Sequence, residues 1–307
     1  MSNTEVTVRI PATSANLGPG FDSLGIALDL YNYVTLKESD SGLKILTDGG
    51  VQGGVPLDRS NLVYRAVATV ANALGHNPDN FEIILKNNIP TSRGLGSSSA
   101  AIVGGLTAAN ILYGNPFTKQ QLLNFATELE GHADNVAPAI YGGFTTVVSR
   151  VSTVSCIQNP LKDDIKFAVF IPDFYLRTKH ARTVLPRVVP FRDAVFNAGR
   201  SALLTASLIS GDYTHLRTAV SDRLHQGYRK RLIPGIDEIF RLSYKNNALG
   251  VYLSGAGPTI LAIIKSDNVD FNAKVSGALN KKLTHWHLQI LSADNEGASQ
   301  INRLEVF

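Results

Sequence analysis

Apolar and polar residues alternate over 5–10 and again over 27–36, the period-two pattern of strands with one buried face. Between them, PATSANLGPGFDSLG crowds Pro11, Asn16, Gly18, Pro19, Gly20 and Asp22 into one loop. That composition suits a long hairpin turn and equally a place where backbone approaches a ligand. From Asn61 the period becomes helical: Leu62, Val63, Ala66, Val67, Val70, Ala71 and Leu74 share a face, and Gly75 supplies a left-handed end. Residues 81–86 read as a strand, and 100–112 as a helix of small residues with Gly104 and Gly105 inside it. Such a helix is expected to be buried, with close backbone approach. Thr118 and Gln121 stand at capping-box spacing, opening a helix whose Leu122, Leu123, Ala126 and Leu129 face inward and which ends near Glu130-Gly131-His132. Gly142-Gly143 introduces a strand over 144–149, and the polar stretch 159–164 marks a boundary.

The second half starts with an apolar strand at 167–171. Helices are predicted over 193–210, 213–224 and 234–246, then strands over 249–253 and 260–264, a helix over 269–281 and a strand over 285–291. This order matches a split βαβ sandwich with extra helices in its first crossover and an antiparallel sheet covered on one face.

Composition narrows the function classes. A chain of 307 residues is about two domain lengths, and 44% hydrophobic with 18% charged residues excludes disordered and fibrous readings. A net charge of +4 is too small a bias for a nucleic-acid binder. The single Cys156 forms no intramolecular disulfide, and no Cys/His cluster has zinc spacing, so a reducing compartment is expected. No segment approaches about 18 consecutive apolar residues, and the N-terminus lacks a leader pattern, so a cytoplasmic protein without membrane attachment is expected.

Three clusters carry chemistry. Gly94-Leu95-Gly96-Ser97-Ser98-Ser99 lies between a strand and a helix, where free N–H groups and the helix dipole favour an anion. A solvated turn with a serine N-cap reads equally well from these residues alone. The Walker pattern GxxxxGK[ST] is absent, and so is the third glycine of GxGxxG. Glu128, Glu130, His132, Asp134 and Asn135 bring carboxylates, an imidazole and an amide to a helix end, which suits a divalent cation or a substrate hydroxyl, or merely a polar terminus. Arg182 and Arg229 follow loops and offer forks for a carboxylate.

The motifs NLGPGFD, GLGSSSAA, EGHADNVAPAIYGG, ARTVLP, RLHQGYRKRLIP and SGAGPT, in that order, resemble those of the galactokinase, homoserine kinase, mevalonate kinase and phosphomevalonate kinase superfamily. Within it the chain looks most similar to the homoserine kinases, from position 11 to about 258. The resemblance implies an α+β fold, with an N-terminal ribosomal-protein-S5-like α/β domain at 1–160 that binds ATP and a C-terminal ferredoxin-like split βαβ domain at 161–307. It implies magnesium-assisted phosphorylation of L-homoserine by ATP in threonine biosynthesis, or of a mevalonate- or sugar-type alcohol by a related kinase, and a homodimer.

Residue by residue, the resemblance implies that Thr91-Ser92-Arg93-Gly94-Leu95-Gly96-Ser97-Ser98-Ser99-Ala100-Ala101 wraps the ATP phosphates, with Asn61 and Lys86 near the base. Ser98 and Glu130 would hold Mg2+, with Glu128 a competitor for Glu130. Asp22 would meet the substrate amine, Arg182 and Arg229 its carboxylate, and Asn16, His132 and Asn135 the reacting hydroxyl. Asn135 would orient that hydroxyl in a direct transfer. Ser254, Gly255 and Gly257 form the third motif. Two departures stand out: three serines occupy the phosphate motif where two are usual, and Gly227 replaces the proline of LHQPYR.

Overall fold

The computed structural model describes residues 4–50, 54–151 and 153–302. In chain order the first half runs β1 (Glu5–Ala15), β2 (Leu24–Glu38), β3 (Lys44–Gly50), α1 (Leu62–Ala73), β4 (Phe81–Asn87), α2 (Ser97–Leu112), α3 (Lys119–Glu130), α4 (Val136–Tyr141), β5 (Phe144–Ser149) and β6 (Val154–Asn159). The second runs β7 (Ile165–Pro172), α5 (Thr178–Thr183), α6 (Phe191–Ser210), α7 (Leu216–Ala219), α8 (Gln226–Arg229), α9 (Ile236–Lys245), β8 (Gly250–Leu253), β9 (Ile260–Lys265), α10 (Phe271–Lys282), β10 (Trp286–Leu291) and β11 (Ser299–Ile301).

The first sheet is organised by β2, whose residues 24–26 pair with β5 while 33–38 pair with β4, and which pairs with β1 along its other edge. Against this sheet lies α2. A Cβ at Gly104 would stand 2.7 Å from a Val34 methyl and 2.8 Å from Ile10, and one at Gly105 would stand 2.5 Å from Val63 O. The two glycines therefore let α2 touch both the sheet and α1. The predicted capping box forms at Thr118, and Asn61 caps α1 by accepting from Val63 N.

The second sheet has the order β10-β7-β9-β8, all antiparallel, with five helices and a 3₁₀ turn between β7 and β8, as a split βαβ unit with an enlarged first crossover requires. One expectation is corrected: the sheet is covered on both faces. Ala168, Phe170, Val251 and Ala262 pack with α9 and α10, while the alternate residues Phe167, Val169, Tyr252, Leu261 and Ile263 enter the core of the first half. The strand β11 pairs with β1, so after β10 the chain returns from the second sheet to the first.

Two boundaries also differ. Strand β1 continues through the PATSA segment, which confines the hairpin loop to 16–23. The helix expected over 213–224 is helical only over α7, because Asp222 accepts from Leu224 N, His225 N and Gln226 N and draws the backbone away from helix geometry.

Candidate active site

The bend between β4 and α2 holds Ser92, Gly94 and Gly96 at φ of 54°, 81° and 68°. Glycine is needed at both of its positions. A Cβ on Gly94 would stand 2.5 Å from Ser254 O, and one on Gly96 would overlap the Thr13 hydroxyl. No side chain caps α2, so the first-turn amides at Ser97, Ser98 and Ser99 face the bend without a capping partner. The third motif packs on the same bend, where Ser254 Oγ donates to Gly94 O (2.5 Å) and Thr259 N to Arg93 O (3.1 Å), and Gly255 N ties it to Ala15 O at the end of β1 (3.0 Å).

Beside the amides, Ser98 Oγ and Ser99 Oγ both donate to Glu130 Oε1, at 2.5 and 2.9 Å. Glu130 ends α3 and lines the cleft above the bend, whereas Glu128 points to solvent and lines no part of it. Among the described residues no group of three or more His, Cys, Asp or Glu is arranged to hold a metal ion.

Past Gly131 the chain turns, and His132 Nδ1 lies 2.7 Å from Asp134 Oδ1, a carboxylate only 2% exposed. Burial pulls the His132 pKa down, but the hydrogen bond and charge of Asp134, with Glu130, outweigh it and leave the imidazole above its ordinary value. Asn135 follows. Its Oδ1 accepts from Thr13 Oγ1 at 2.8 Å, which turns Nδ2 toward Asp134.

The other end of the cleft is charged. Arg182 forks onto Asp22, at 2.8 and 3.3 Å, so two groups expected at opposite ends of a zwitterion meet each other here. Arg229 is 1% exposed, and the guanidinium carbons of Arg182 and Arg229 sit 5.5 and 5.4 Å from the Phe21 ring centroid. Desolvation, helped by the nearby Arg182 charge, lowers the Arg229 pKa to about 10, so it stays cationic at neutral pH. Asn16 sits at φ 68° with both ends of its amide bonded to backbone: Oδ1 accepts from Asp22 N and Nδ2 donates to Gly255 O.

These groups surround one cleft of about 310 Å³. A second hollow of about 250 Å³ opens on the far side of the bend, lined by Val55, Leu62, Val63, Leu85, Thr91 and Ala101 and sharing Ser92, Ser97 and Ser98 with the first. Asn61 borders it, although its side chain is engaged with Val63 N and Pro56 O. Lys86 lies on β4 and lines neither hollow. Leu95, Ser99 and Ala100 are buried beneath the bend, and Gly257 packs behind it against Ile233 and Leu253. Sequence reasoning missed Thr13, Phe21 and Arg177, the last of which lines the cleft, and left Asp134 open between a plain polar helix terminus and a site group; the structure sets Asp134 in the cleft beside His132.

Comparison with known proteins adds the following. The family models for the GHMP kinases N terminal domain and the GHMP kinases C terminal match residues 61–143 and 204–278. The chain is 45% identical over 296 residues to a homoserine kinase of Caldicellulosiruptor saccharolyticus, covering 96% of each. It is 44% identical over 300 residues to one from Clostridium beijerinckii, covering 96% of this chain and 98% of that one. The crystal structure of homoserine kinase from Cytophaga hutchinsonii superposes with a TM-score of 0.89 at 32% identity over 98% of both chains.

Proposed function

The chain belongs to the homoserine kinases of the GHMP kinase family, and from that membership we propose that it transfers the terminal phosphoryl group of ATP to the hydroxyl of L-homoserine, a step of threonine biosynthesis. The observation that carries this reading is the meeting, in one cleft, of an uncapped helix start with a carboxylate and two guanidiniums. The first suits phosphate, and the second suits the two charged ends of an amino acid.

In this reading the bend from Thr91 to Ala101 cradles the phosphates, and the apolar hollow beyond it takes the base. Ser98 and Glu130 offer a hydroxyl and a carboxylate oxygen side by side, a hard donor set that fits Mg2+. When bound, the ion offsets charge on the phosphates. Asp22 takes the ammonium, Arg182 and Arg229 the carboxylate, so a substrate must exchange its own charges for the Asp22–Arg182 pair. Asn135 directs the acceptor hydroxyl. Its amide takes no proton, so the hydroxyl proton leaves late, to phosphate or solvent, and alignment supplies most of the acceleration.

A coupled ADP-release assay with L-homoserine, mevalonate, galactose and 4-hydroxybutyrate tests the reading. ADP release only with L-homoserine supports it. Release with mevalonate or galactose assigns another alcohol, and no release with any of the four removes the kinase reading altogether.

A further inference from the structure

We propose that His225 is a positioning residue for the carboxylate end of the substrate: its neutral imidazole aims the Arg229 guanidinium and ties it to the loop that carries Asp22. The inference rests on the reading of Arg229 as a carboxylate-binding arginine.

The hydrogen bonds fix the state of the ring. Arg229 Nη1 lies 3.1 Å from His225 Nδ1, and a guanidinium only donates, so Nδ1 must present its lone pair. His225 Nε2 lies 2.7 Å from Gly18 O, and a carbonyl only accepts, so Nε2 must carry the proton. The ring is fully buried, and its one tautomer serves both contacts at once. Arg229 is then accounted for donor by donor. Nε donates to Ala181 O at 3.2 Å, and Nη1 donates to His225 and to Gly255 O at 3.0 Å. Among the described residues Nη2 has no such partner, and Arg229 lines the cleft. The imidazole therefore decides which edge of the fork meets the substrate.

The charged and titratable groups around the ring come from three elements. Asp222 stands 3.9 Å from Nε2, its oxygens already accepting three backbone amides and Asn197 Nδ2. Arg229 faces Nδ1 from α8, and Asp22 acts from the loop after β1. Burial first, with Arg229, outweighs the two carboxylates and holds the imidazole below its ordinary pKa, consistent with a ring that must stay neutral to accept from a cation.

Two substitutions separate the two ring nitrogens. His225→Gln places a donor near Gly18 O and removes the acceptor facing Arg229, whereas His225→Asn keeps an acceptor oxygen at the Nδ1 position. A lost hydrogen bond to a charged group is expected to raise the L-homoserine KM about tenfold in H225Q, with the ATP KM unmoved, and by less than about threefold in H225N. Equal effects of the two variants, or an ATP KM that moves in step, would overturn the proposal. Arg229→Lys measured alongside distinguishes the failures. An unchanged L-homoserine KM in R229K sinks the reading of the site, while a raised one beside an unaffected H225Q sinks only the role of His225. Should the variants not fold, the unaltered protein carries the test. In 15N-resolved NMR at neutral pH its His225 ring should be neutral with the proton on Nε2, and a ring protonated on Nδ1 overturns the proposal.

Discussion

The Asn135 amide is oriented from both ends: the Asp134 carboxylate only accepts, which puts Nδ2 on its side, and the Thr13 hydroxyl then donates to Oδ1. Thr13→Val keeps the shape and removes that donor, leaving the amide held at one end only. A cost of about 1 kcal/mol in alignment corresponds to a kcat lowered about fivefold, with both KM values unchanged. Steady-state kinetics check this, and an unaltered kcat means the Thr13 bond does not set the alignment. Asp134 acts on its neighbour in a comparable way. Burial alone would lower the His132 pKa, so Asp134→Asn should bring it below 6.5, read from the ring-proton shift in NMR titration. The sign for stability follows. A raised folded-state pKa contributes stability that is complete below the unfolded value near 6.5 and is lost as pH rises through the folded value. The Tm advantage of the native protein over D134N should therefore shrink from pH 6 to pH 9. Sequence placed Asp134 in the polar cluster after α3 but gave it no role of its own, since a turn hides which of its side chains face a cleft; that became visible only once Gly131, at φ 91°, reversed the chain after α3.

At the scale of elements, the helices that announce their own ends were readable: Asn61 caps α1, Thr118 and Gln121 box α3, and Gly104 with Gly105 gave away the burial of α2. Elements whose existence depends on a neighbour were not. β3 is an edge strand paired in parallel with β4, β6 is an edge strand with Ile157 exposed, and α4 is six residues long, too short for a period to register. The start of α2 is where element and chemistry meet. Gly96→Ala places a Cβ on the Thr13 hydroxyl and forces a left-handed φ on alanine, a strain of about 1–2 kcal/mol. The bend rather than the helix should yield, so the ATP KM should rise at least tenfold while far-UV circular dichroism is unchanged. A normal ATP KM in G96A would mean that the bend does not hold the nucleotide.

Across the whole molecule, the cleft is a seam between parts of the chain far apart in sequence. Arg182 reaches Asp22, Asn197 Nδ2 reaches Pro19 O, His225 reaches Gly18 O, and the third motif is bonded to Ala15, Arg93 and Gly94. Phe167, Val169, Tyr252, Leu261 and Ile263 lie in the core of the first half, and β11 closes the first sheet. One core cluster therefore spans residue 160, while a second lies wholly beyond it between the second sheet and α9 and α10; local composition carries no information on which face of a distant sheet will be shared. Unfolding should accordingly be a single transition. Trp286 is the chain's one tryptophan, 3% exposed and set in the second sheet, so its fluorescence follows the second half while a change in α3 perturbs only the first. Thr118→Ala removes the α3 capping box at a cost of about 1 kcal/mol and should lower Tm by about 2 °C. If the shared core couples the halves, the midpoint of Trp286 fluorescence must fall with that of circular dichroism. A Trp286 transition left in place by T118A would show instead that the second sheet melts on its own, and the seam would then be a contact between independent units.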